Sequence, residues 1–263
     1  MKTVTIGSFK GGTGKTTLSA VLGTTFALRG VKTRIIELET ATRPLSRFEV
    51  CRSFADLDTA EVDDAMLSGG APDLKDWQNF FHQKTKVAEK DGIDVLIFDT
   101  GSVWKPEVIA AHLAADLVMT TVTESPIDLY QFMPGEGPNM QSVHPYAELI
   151  SLVRRNAEKL HKQEFDWMLC INRRSHLRTR IGDSVHQRLS SFSRTANVTL
   201  IDGLVDRVTY RNMMETGVTP LDRISGEPVQ KSLLAARTEA NRLAGKILEK
   251  IGLRTRYSEL ANA

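Results

Sequence analysis

The chain has 263 residues, of which 41% are hydrophobic and 25% charged, and its formal net charge is +2. These values are ordinary for a soluble globular protein that buries one large core. No apolar run approaches the roughly 20 residues that a membrane-spanning helix needs, so we expect no such helix. The two cysteines match no metal-binding or redox spacing, and we expect Cys51 and Cys170 to be reduced and buried.

A glycine-rich loop near the N-terminus is the most informative stretch. The β-branched run Thr3–Ile6 predicts a strand, and the Ala- and Leu-rich segment Leu18–Leu28 predicts a helix. Residues 10–17 between them read Lys-Gly-Gly-Thr-Gly-Lys-Thr-Thr. A glycine loop between a strand and a helix is the context of a phosphate-binding loop, where Lys15 reaches the phosphates and the Thr16 hydroxyl ligates Mg²⁺. The predicted nucleotide-binding residues here are Gly11, Gly12, Thr13, Gly14, Lys15, Thr16 and Thr17.

The loop departs from the usual pattern G-x-x-x-x-G-K-[ST] at its start. Phe9 stands where the first glycine belongs, and Lys10 adds a second lysine. The resulting pattern, K-G-G-x-G-K-[ST]-T, closely resembles the deviant Walker A loop of the ParA/MinD superfamily. The resemblance implies an ATPase that uses ATP and Mg²⁺ and forms a homodimer around two ATP molecules. It also implies that Lys10 reaches the nucleotide held by the partner subunit.

The next strand ends in two carboxylates. Lys32–Leu38 predicts a strand, followed at once by Glu39. ParA-like proteins carry Asp-x-Asp where this chain has Glu37-Leu38-Glu39, and the resemblance assigns Glu39 to orienting the attacking water. Each glutamate adds a methylene that can displace its oxygens, and phosphoryl transfer depends on positioning. We expect a slow hydrolysis that involves Glu39. The alternative is a pair of solvated carboxylates at a strand end.

The following segments are expected to be mostly helical and peripheral. Thr42–Phe48 resembles the same segment of VirC-type DNA-transfer ATPases and of MipZ. The acidic stretch Asp56–Asp64 predicts a surface helix and loop. Leu74–Lys90 predicts a helix with an inward-facing stripe. The residues of that stripe are Trp77, Phe80, Phe81 and Val87.

Two further buried strands complete the nucleotide site. Asp94–Asp99 is an apolar run that ends in an acid, which suits a strand buried on both faces of a parallel sheet. Its carboxyl end would emerge beside the glycine loop, so this stretch matches a Walker B segment in which Asp99 holds Mg²⁺ through its water shell. A second buried strand is predicted at Ala114–Val122.

The second half of the chain predicts helix, strand and a final helix. Pro145–Gln163 predicts an amphipathic helix with Leu149, Ile150, Leu152, Val153 and Leu160 facing inward. Phe165–Ile171 predicts a strand that ends in Asn172. The family resemblance assigns Asn172 to contacting the adenine, and the alternative is a polar residue that merely ends the strand. Pro228–Lys250 predicts a long helix that packs on the sheet rather than on a bilayer.

Positive charge is concentrated between residues 171 and 213. This range holds eight arginines, no lysine and three aspartates, which makes it +5 in a protein of +2. A basic patch of arginines suits the phosphates of nucleic acid, and no base-reading motif accompanies it, so we expect nonspecific DNA binding. A solvated helix face or internal ion pairs are the alternatives. Resemblance to MipZ in this range points to Arg178, Arg180, Arg207 and Arg211 as DNA contacts.

We therefore predict a single doubly wound α/β domain over residues 1–263 with a mainly parallel central sheet. The resemblance implies a cytoplasmic, nucleoid-associated switch that partitions or positions cargo and responds to a ParB-like or other stimulating partner, without stable membrane insertion. Two alternatives remain within the superfamily: a VirC-like ATPase that recruits a DNA-transfer relaxosome, and a MinD-like regulator that cycles on membranes. Metabolic P-loop enzymes of the superfamily are disfavoured. Nitrogenase-type iron proteins need cysteines that hold a cluster, and the two cysteines here are poorly placed for one. Capsule tyrosine kinases would have a tyrosine-rich tail, whereas only Tyr257 lies near the C-terminus.

Overall fold

Seven parallel strands form one sheet at the centre of the protein. The computed structural model describes residues 1–55, 57–65, 71–133, 145–161, 164–222 and 231–253. The strands are β1 (Lys2–Gly7), β2 (Thr33–Glu37), β3 (Glu61–Asp64), β4 (Val95–Asp99), β5 (Leu117–Val122), β6 (Asp166–Ile171) and β7 (Thr199–Asp202). They lie in the order β3-β2-β4-β1-β5-β6-β7, and every neighbouring pair is parallel. The predicted doubly wound α/β fold is confirmed, and the sheet is parallel throughout.

Helices cover both faces of this sheet. They are α1 (Lys15–Leu28), α2 (Pro44–Phe54), α3 (Leu74–Lys90), α4 (Pro106–Leu113), α5 (Pro126–Leu129), α6 (Pro145–His161), α7 (Arg180–Thr195), α8 (Val208–Thr216) and α9 (Lys231–Lys250). Apolar side chains of α1, α2, α8 and α9 pack on one face. Those of α3, α4, α6 and α7 pack on the other. Covering both faces explains why β4 and β5 are buried at every position.

The strand order places a ligand site at the end of β1. This strand lies between β4 and β5, so the chain moves to one side of β1 with β2, β3 and β4 and to the other side with the last three strands. Ligands of open parallel sheets bind where the strand order reverses, outside the carboxyl ends of the strands. The glycine loop follows β1 at that position.

The prediction of surface helix and loop for the acidic stretch is wrong at its end. Residues 61–64 form the edge strand β3, whose backbone pairs with β2 from Arg34↔Glu61 to Glu37↔Asp64. An edge strand needs only one neighbour, and basic side chains offset its charge. The ion pairs are Arg34–Glu61, Lys84–Asp63 and Arg43–Asp64. Asp56 lies outside the described residues.

Two residues predicted to face inward are exposed. Val87 is 50% exposed and Leu152 is 48% exposed, whereas their helical neighbours Ala88 and Val153 are buried. One residue along a helix is a rotation of about 100°, so an error of one position turns a side chain from the core to the surface. The rest of the aromatic stripe on α3 is buried as predicted.

Three further expectations have mixed outcomes. Leu160, although in α6, has a side chain outside the described part of the structure, and the predicted start of the last helix at Pro228 also lies outside it. Both cysteines are free thiols, but Cys170 is buried and Cys51 is only half-buried. Within the described ranges, no helix is long and apolar enough to cross a membrane.

Candidate nucleotide-binding site

The loop between β1 and α1 has a backbone shaped by its glycines. Gly12 and Gly14 have φ angles of 76° and 84°, in the left-handed region that favours glycine. Gly14 caps the N-terminus of α1, which begins at Lys15, so the first amides of the helix open toward the loop. A Cβ at Gly14 would lie 2.6 Å from Nδ2 of Asn172. The loop therefore leads directly into a helix N-terminus, which is the arrangement that an anion-binding loop needs, and the binding itself stays a prediction.

Lys15 lies inside this loop. Its ammonium donates to the main-chain oxygen of Lys10 at 3.2 Å and to Oγ of Ser102 at 2.9 Å. Burial lowers the pKa of Lys15, while the nearby Asp99 carboxylate raises it. A buried ammonium that donates to neutral oxygens is a binding group for an anion, because a phosphate would supply the missing counter-charge. The contact with Ser102 was not predicted.

Asp99 and Thr16 meet as the predicted magnesium site requires. The Thr16 hydroxyl donates to Oδ2 of Asp99 at 2.9 Å, and the Ser19 hydroxyl donates to Oδ1 at 2.7 Å. Burial raises the pKa of Asp99 to about 6, although both hydroxyls oppose the shift. A desolvated carboxylate beside a hydroxyl oxygen suits a hard divalent cation, which would offset the desolvation.

The wider donor set also fits magnesium. Among the described residues, no group of three or more His, Cys, Asp or Glu side chains could hold a metal ion. Mg²⁺ is ordinarily bound through one or two protein oxygens, with waters and substrate phosphates as its remaining ligands. The oxygens of Thr16 and Asp99 match that pattern. The role of Ser19, a second hydroxyl on the same carboxylate, could have been suggested only by its helical spacing from Thr16.

The two glutamates at the end of β2 have different surroundings. Glu37 is fully buried and accepts hydrogen bonds from the backbone N–H groups of Leu45 (2.7 Å) and Ser46 (3.0 Å). It therefore caps the first turn of α2, and a solvated carboxylate is the wrong description of it. Glu39 is half-buried in the loop that follows, where its Oε1 accepts from the Ala41 N–H at 3.3 Å. Its assignment to water orientation stays a prediction.

Lys10 forms an ion pair within its own chain. Its ammonium donates to Oδ1 of Asp128, on α5. The other carboxylate oxygen, Oδ2, accepts from the backbone N–H of Thr123 at 2.7 Å and from its hydroxyl at 2.9 Å. The Asp128 side chain is buried, whereas that of Lys10 is 39% exposed at the rim of the loop. Because 118 residues separate the pair, sequence spacing gave no sign of it.

A cavity of about 260 Å³ opens beside the glycine loop, and its lining includes Gly12, Gly14, Asn172, Arg173 and Tyr210. Asn172 is buried at its wall. The Nδ2 of Asn172 donates to the Thr13 oxygen at 2.9 Å, and its Oδ1 accepts from the Leu204 N–H at 3.0 Å. The amide thus joins the glycine loop to the segment after β7. The nitrogen and the oxygen of the Asn172 side chain thus both bond to main-chain groups. The contact of Asn172 with adenine stays a prediction.

The four predicted DNA contacts lie at the N-terminal ends of α7 and α8. Both helices follow the carboxyl ends of strands, so these residues share one edge of the sheet with the glycine loop. The Arg178 side chain is 86% exposed and that of Arg211 is 62% exposed. Arg180 is exposed as well. Arg178 pairs with Asp183 and Arg211 with Asp206, at the surface. Arg207 differs because its side chain is only 12% exposed and its partner, Glu239 on α9, is only 13% exposed.

Comparison with known proteins gives one family match. The chain matches the sequence model of the family described as ATPase MipZ over residues 2–249, which is nearly its whole length. A search of curated protein sequences gave no significant match.

Solved structures share the fold at low sequence identity. Apo McdA from Cyanothece is 14% identical with a TM-score of 0.63, and the match covers 94% of this chain and 99% of that one. The septum site-determining protein MinD from Pyrococcus horikoshii, complexed with Mg-ADP, is 14% identical with a TM-score of 0.59, covering 94% and 95%. A putative plasmid partition protein from Borrelia burgdorferi, bound to AMPPNP, is 15% identical with a TM-score of 0.57, covering 95% and 99%.

Proposed function

The chain belongs to the MipZ family of ATPases, and we propose that it is an ATP-dependent switch that dimerises around nucleotide and binds DNA. The observation that carries this proposal is the convergence of Lys15, Thr16 and Asp99 on a glycine loop that also carries Lys10 at its rim. These residues supply the positive charge and the oxygen ligands that a nucleoside triphosphate with Mg²⁺ requires. The structural relatives include proteins bound to AMPPNP and to Mg-ADP.

Nucleotide binding would rest on the glycine loop together with Lys15, Thr16 and Asp99. The amides of residues 11–17 surround the phosphates, and the buried ammonium of Lys15 supplies positive charge where the β- and γ-phosphates lie. Thr16 and Asp99 would hold Mg²⁺, which when bound neutralises charge that develops on the phosphates. Glu39 would orient the attacking water, with slow hydrolysis because the longer glutamate arm is less well fixed.

Dimerisation is supported by what surrounds the rim of the loop. Val103 is 62% exposed and follows Ser102, the partner of Lys15. Ile127 is 64% exposed and precedes Asp128, the partner of Lys10. Two large apolar side chains beside the nucleotide site would be buried if a second copy covered it. In that arrangement Lys10 would leave its own chain and reach the nucleotide of the partner subunit.

DNA binding is supported by the exposed arginines on the same edge of the sheet. Arg178, Arg180 and Arg211 present guanidinium groups that suit phosphate oxygens. Contacts of this kind do not depend on base sequence, and they weaken steeply with salt because binding releases counterions. Arg207 would support this surface from within, through its pair with Glu239.

The output of such a switch is location. ATP would assemble the dimer on DNA, and slow hydrolysis would return monomers, so the protein would partition or position cargo along the nucleoid in the cytoplasm. A ParB-like or other protein partner would accelerate the return. The VirC-like alternative predicts a preferred DNA site, and the MinD-like alternative predicts ATP-dependent sedimentation with liposomes.

The decisive experiment measures retention of duplex DNA by the purified protein with ATP, ADP or no nucleotide over a series of salt concentrations. We expect far stronger retention with ATP than with ADP or without nucleotide, a steep loss as salt rises, and a strong reduction in the double variant Arg178→Ala/Arg211→Ala. Arg155→Ala, an exposed arginine on α6, is the matched control and should retain DNA normally. Equal and negligible retention in all three nucleotide states would remove DNA from the function, and liposomes would be tested next.

A further inference from the structure

One carboxylate is shared by two arginines that belong to different sites. Asp206, in the segment between β7 and α8, accepts from Nη2 of Arg173 at 3.3 Å and from Nη2 of Arg211 at 3.1 Å, both on Oδ2. Its Oδ1 also accepts from Nε of Arg211 at 3.2 Å. The side chain of Asp206 is 29% exposed. Arg173 and Arg211 therefore compete for one negative charge.

Arg173 connects this carboxylate to the glycine loop. Its Nη1 donates to the main-chain oxygen of Gly12 at 2.7 Å. The peptide between Gly12 and Thr13 is trans, so its C=O and N–H point in opposite directions. By holding the Gly12 oxygen, Arg173 fixes the orientation of the Gly12–Thr13 peptide, and with it the Thr13 N–H, in the glycine loop. Arg173 is therefore a positioning residue for the loop that we propose surrounds the phosphates.

Arg211 connects the same carboxylate to the surface. It lies on the first turns of α8, and we have placed it among the proposed DNA contacts. A phosphodiester oxygen and Asp206 are alternative partners for its guanidinium fork. When a polyanion binds Arg211 and displaces it from Asp206, Asp206 still pairs with Arg173.

We propose that Asp206 couples nucleotide binding to polyanion binding by passing its charge between Arg211 and Arg173. DNA at Arg211 leaves the carboxylate to Arg173, which then holds the Gly12–Thr13 peptide more firmly and raises nucleotide affinity. Because coupling between two sites is reciprocal, nucleotide raises DNA affinity by the same factor. The inference rests on the proposed function, and it adds a route within one subunit that does not require dimerisation.

The test measures the dissociation constant of a fluorescent ADP with and without a short DNA duplex at low salt. ADP is chosen because the proposed cycle keeps the ADP form monomeric, and sedimentation velocity verifies this. In the wild type, the duplex should tighten ADP binding about fivefold or more, the lower end of typical coupling between sites. In Asp206→Asn the duplex should change ADP affinity less than twofold. Asp206→Glu, which keeps the charge, should restore part of the effect.

The matched control is Asp91→Asn. Asp91 is also an aspartate paired with an arginine, Arg34, but at the far end of α3, and this variant should keep the full effect of the duplex. Asp206→Asn with undiminished coupling would overturn the inference while leaving the proposed function intact. If the wild type with ATP retains no DNA, the proposed function fails, and the coupling fails with it.

A second variant distinguishes coupling from a merely structural role. Arg211→Ala removes the competitor, so Asp206 belongs to Arg173 before any DNA is added. ADP should therefore bind Arg211→Ala more tightly than the wild type, and the duplex should add nothing further. If the contact between Asp206 and Arg211 is purely structural, Arg211→Ala should bind ADP as tightly as the wild type or more weakly. Either result would overturn the proposal.

Discussion

Asp128 holds the ammonium of Lys10 within the same chain, and its second oxygen fixes the backbone of the loop after β5 through Thr123. The family resemblance assigns Lys10 to the nucleotide of a partner subunit, but in the single chain Lys10 forms an intrachain ion pair. In the dimer that we propose, Lys10 would have to leave Asp128 before it could reach the partner subunit. The strength of this pair should therefore set how readily such dimers form.

Weakening the Lys10–Asp128 pair should favour the dimer. Asp128→Asn keeps an oxygen that can accept from Thr123 but removes the charge that holds Lys10. A pair with one side chain 39% exposed contributes about 1 kcal/mol. A symmetric dimer opens two such pairs, so the dimer dissociation constant should fall about 30-fold. Sedimentation equilibrium with a slowly hydrolysed ATP analogue measures it. Asp166→Asn, which breaks the surface pair with Lys250, is the control, and an equal shift in both variants would refute the link.

The two lysines of the loop should have separable effects. Lys15→Ala removes the buried charge that we propose contacts the phosphates, so ATP affinity should fall about 100-fold or more. Burial lowers the pKa of Lys15, so the folded protein disfavours the charged ammonium unless a phosphate faces it. The melting temperature of Lys15→Ala measured without nucleotide should therefore not fall. Lys10→Ala should impair dimerisation and turnover far more than ATP affinity. Calorimetric titration with ATP compares the variants, and normal turnover in Lys10→Ala would exclude the sandwich dimer.

Arg207 and Arg211 should differ in stability although both lie at the start of α8. Arg207→Ala leaves the carboxylate of Glu239, only 13% exposed, without its charge partner, and should lower the free energy of unfolding by about 3 kcal/mol. Arg211→Ala removes a side chain that is 62% exposed and should change it by less than about 0.5 kcal/mol. Urea unfolding of both variants decides this. Equal stability would mean that the pair with Glu239 contributes nothing to the fold.

His112 should make the fold sensitive to mild acid. It is fully buried on α4, its Nδ1 donates to the Val108 oxygen at 2.7 Å, and Trp104 packs against the ring. Burial lowers the pKa of His112 to about 4. Below about pH 6.5 the unfolded chain binds a proton that the folded chain excludes, so stability falls as the pH falls from 6.5 toward 4. Between pH 7 and pH 5 the loss should be about 2 kcal/mol.

The measurement for this prediction is urea unfolding at pH 7 and pH 5. His112→Gln, which cannot take up the proton, should lose about 2 kcal/mol less than the wild type over this interval. His82→Gln alters an exposed histidine on α3 and should keep the wild-type loss. A pH dependence that is the same in His112→Gln and in the wild type would show that other groups carry it.

The parts of the site that lie close to one motif could be predicted from sequence. The glycine loop fixes its own backbone, and the parallel sheet brings the ends of β1 and β4 side by side, so Thr16 and Asp99 meet as the motifs require. Both inferences use simple rules. Glycine is favoured where the loop needs a positive φ, and the carboxyl ends of buried parallel strands lie at one edge of the sheet.

Contacts that join distant segments could not be predicted in this way. The pairs Lys10–Asp128 and Arg207–Glu239 depend on how loops and helices pack after the sheet has formed. The edge strand β3 was missed because its acidic residues have low strand propensity, and neighbouring basic side chains compensate for it. Charge counts identified the arginine-rich range, but only packing shows that Arg207 is turned inward.

The buried Glu37 caps α2, so the stability of this helix and the proposed role of Glu39 in hydrolysis depend on different residues. Because Glu37 accepts from the N–H groups of Leu45 and Ser46, the carboxylate of Glu39 is not needed to cap the helix; it accepts instead from Ala41 N–H. Under the proposed function, a substitution at Glu39 would therefore change the lifetime of bound ATP without weakening α2. A single substitution would then change the timing of the switch while the fold stays the same.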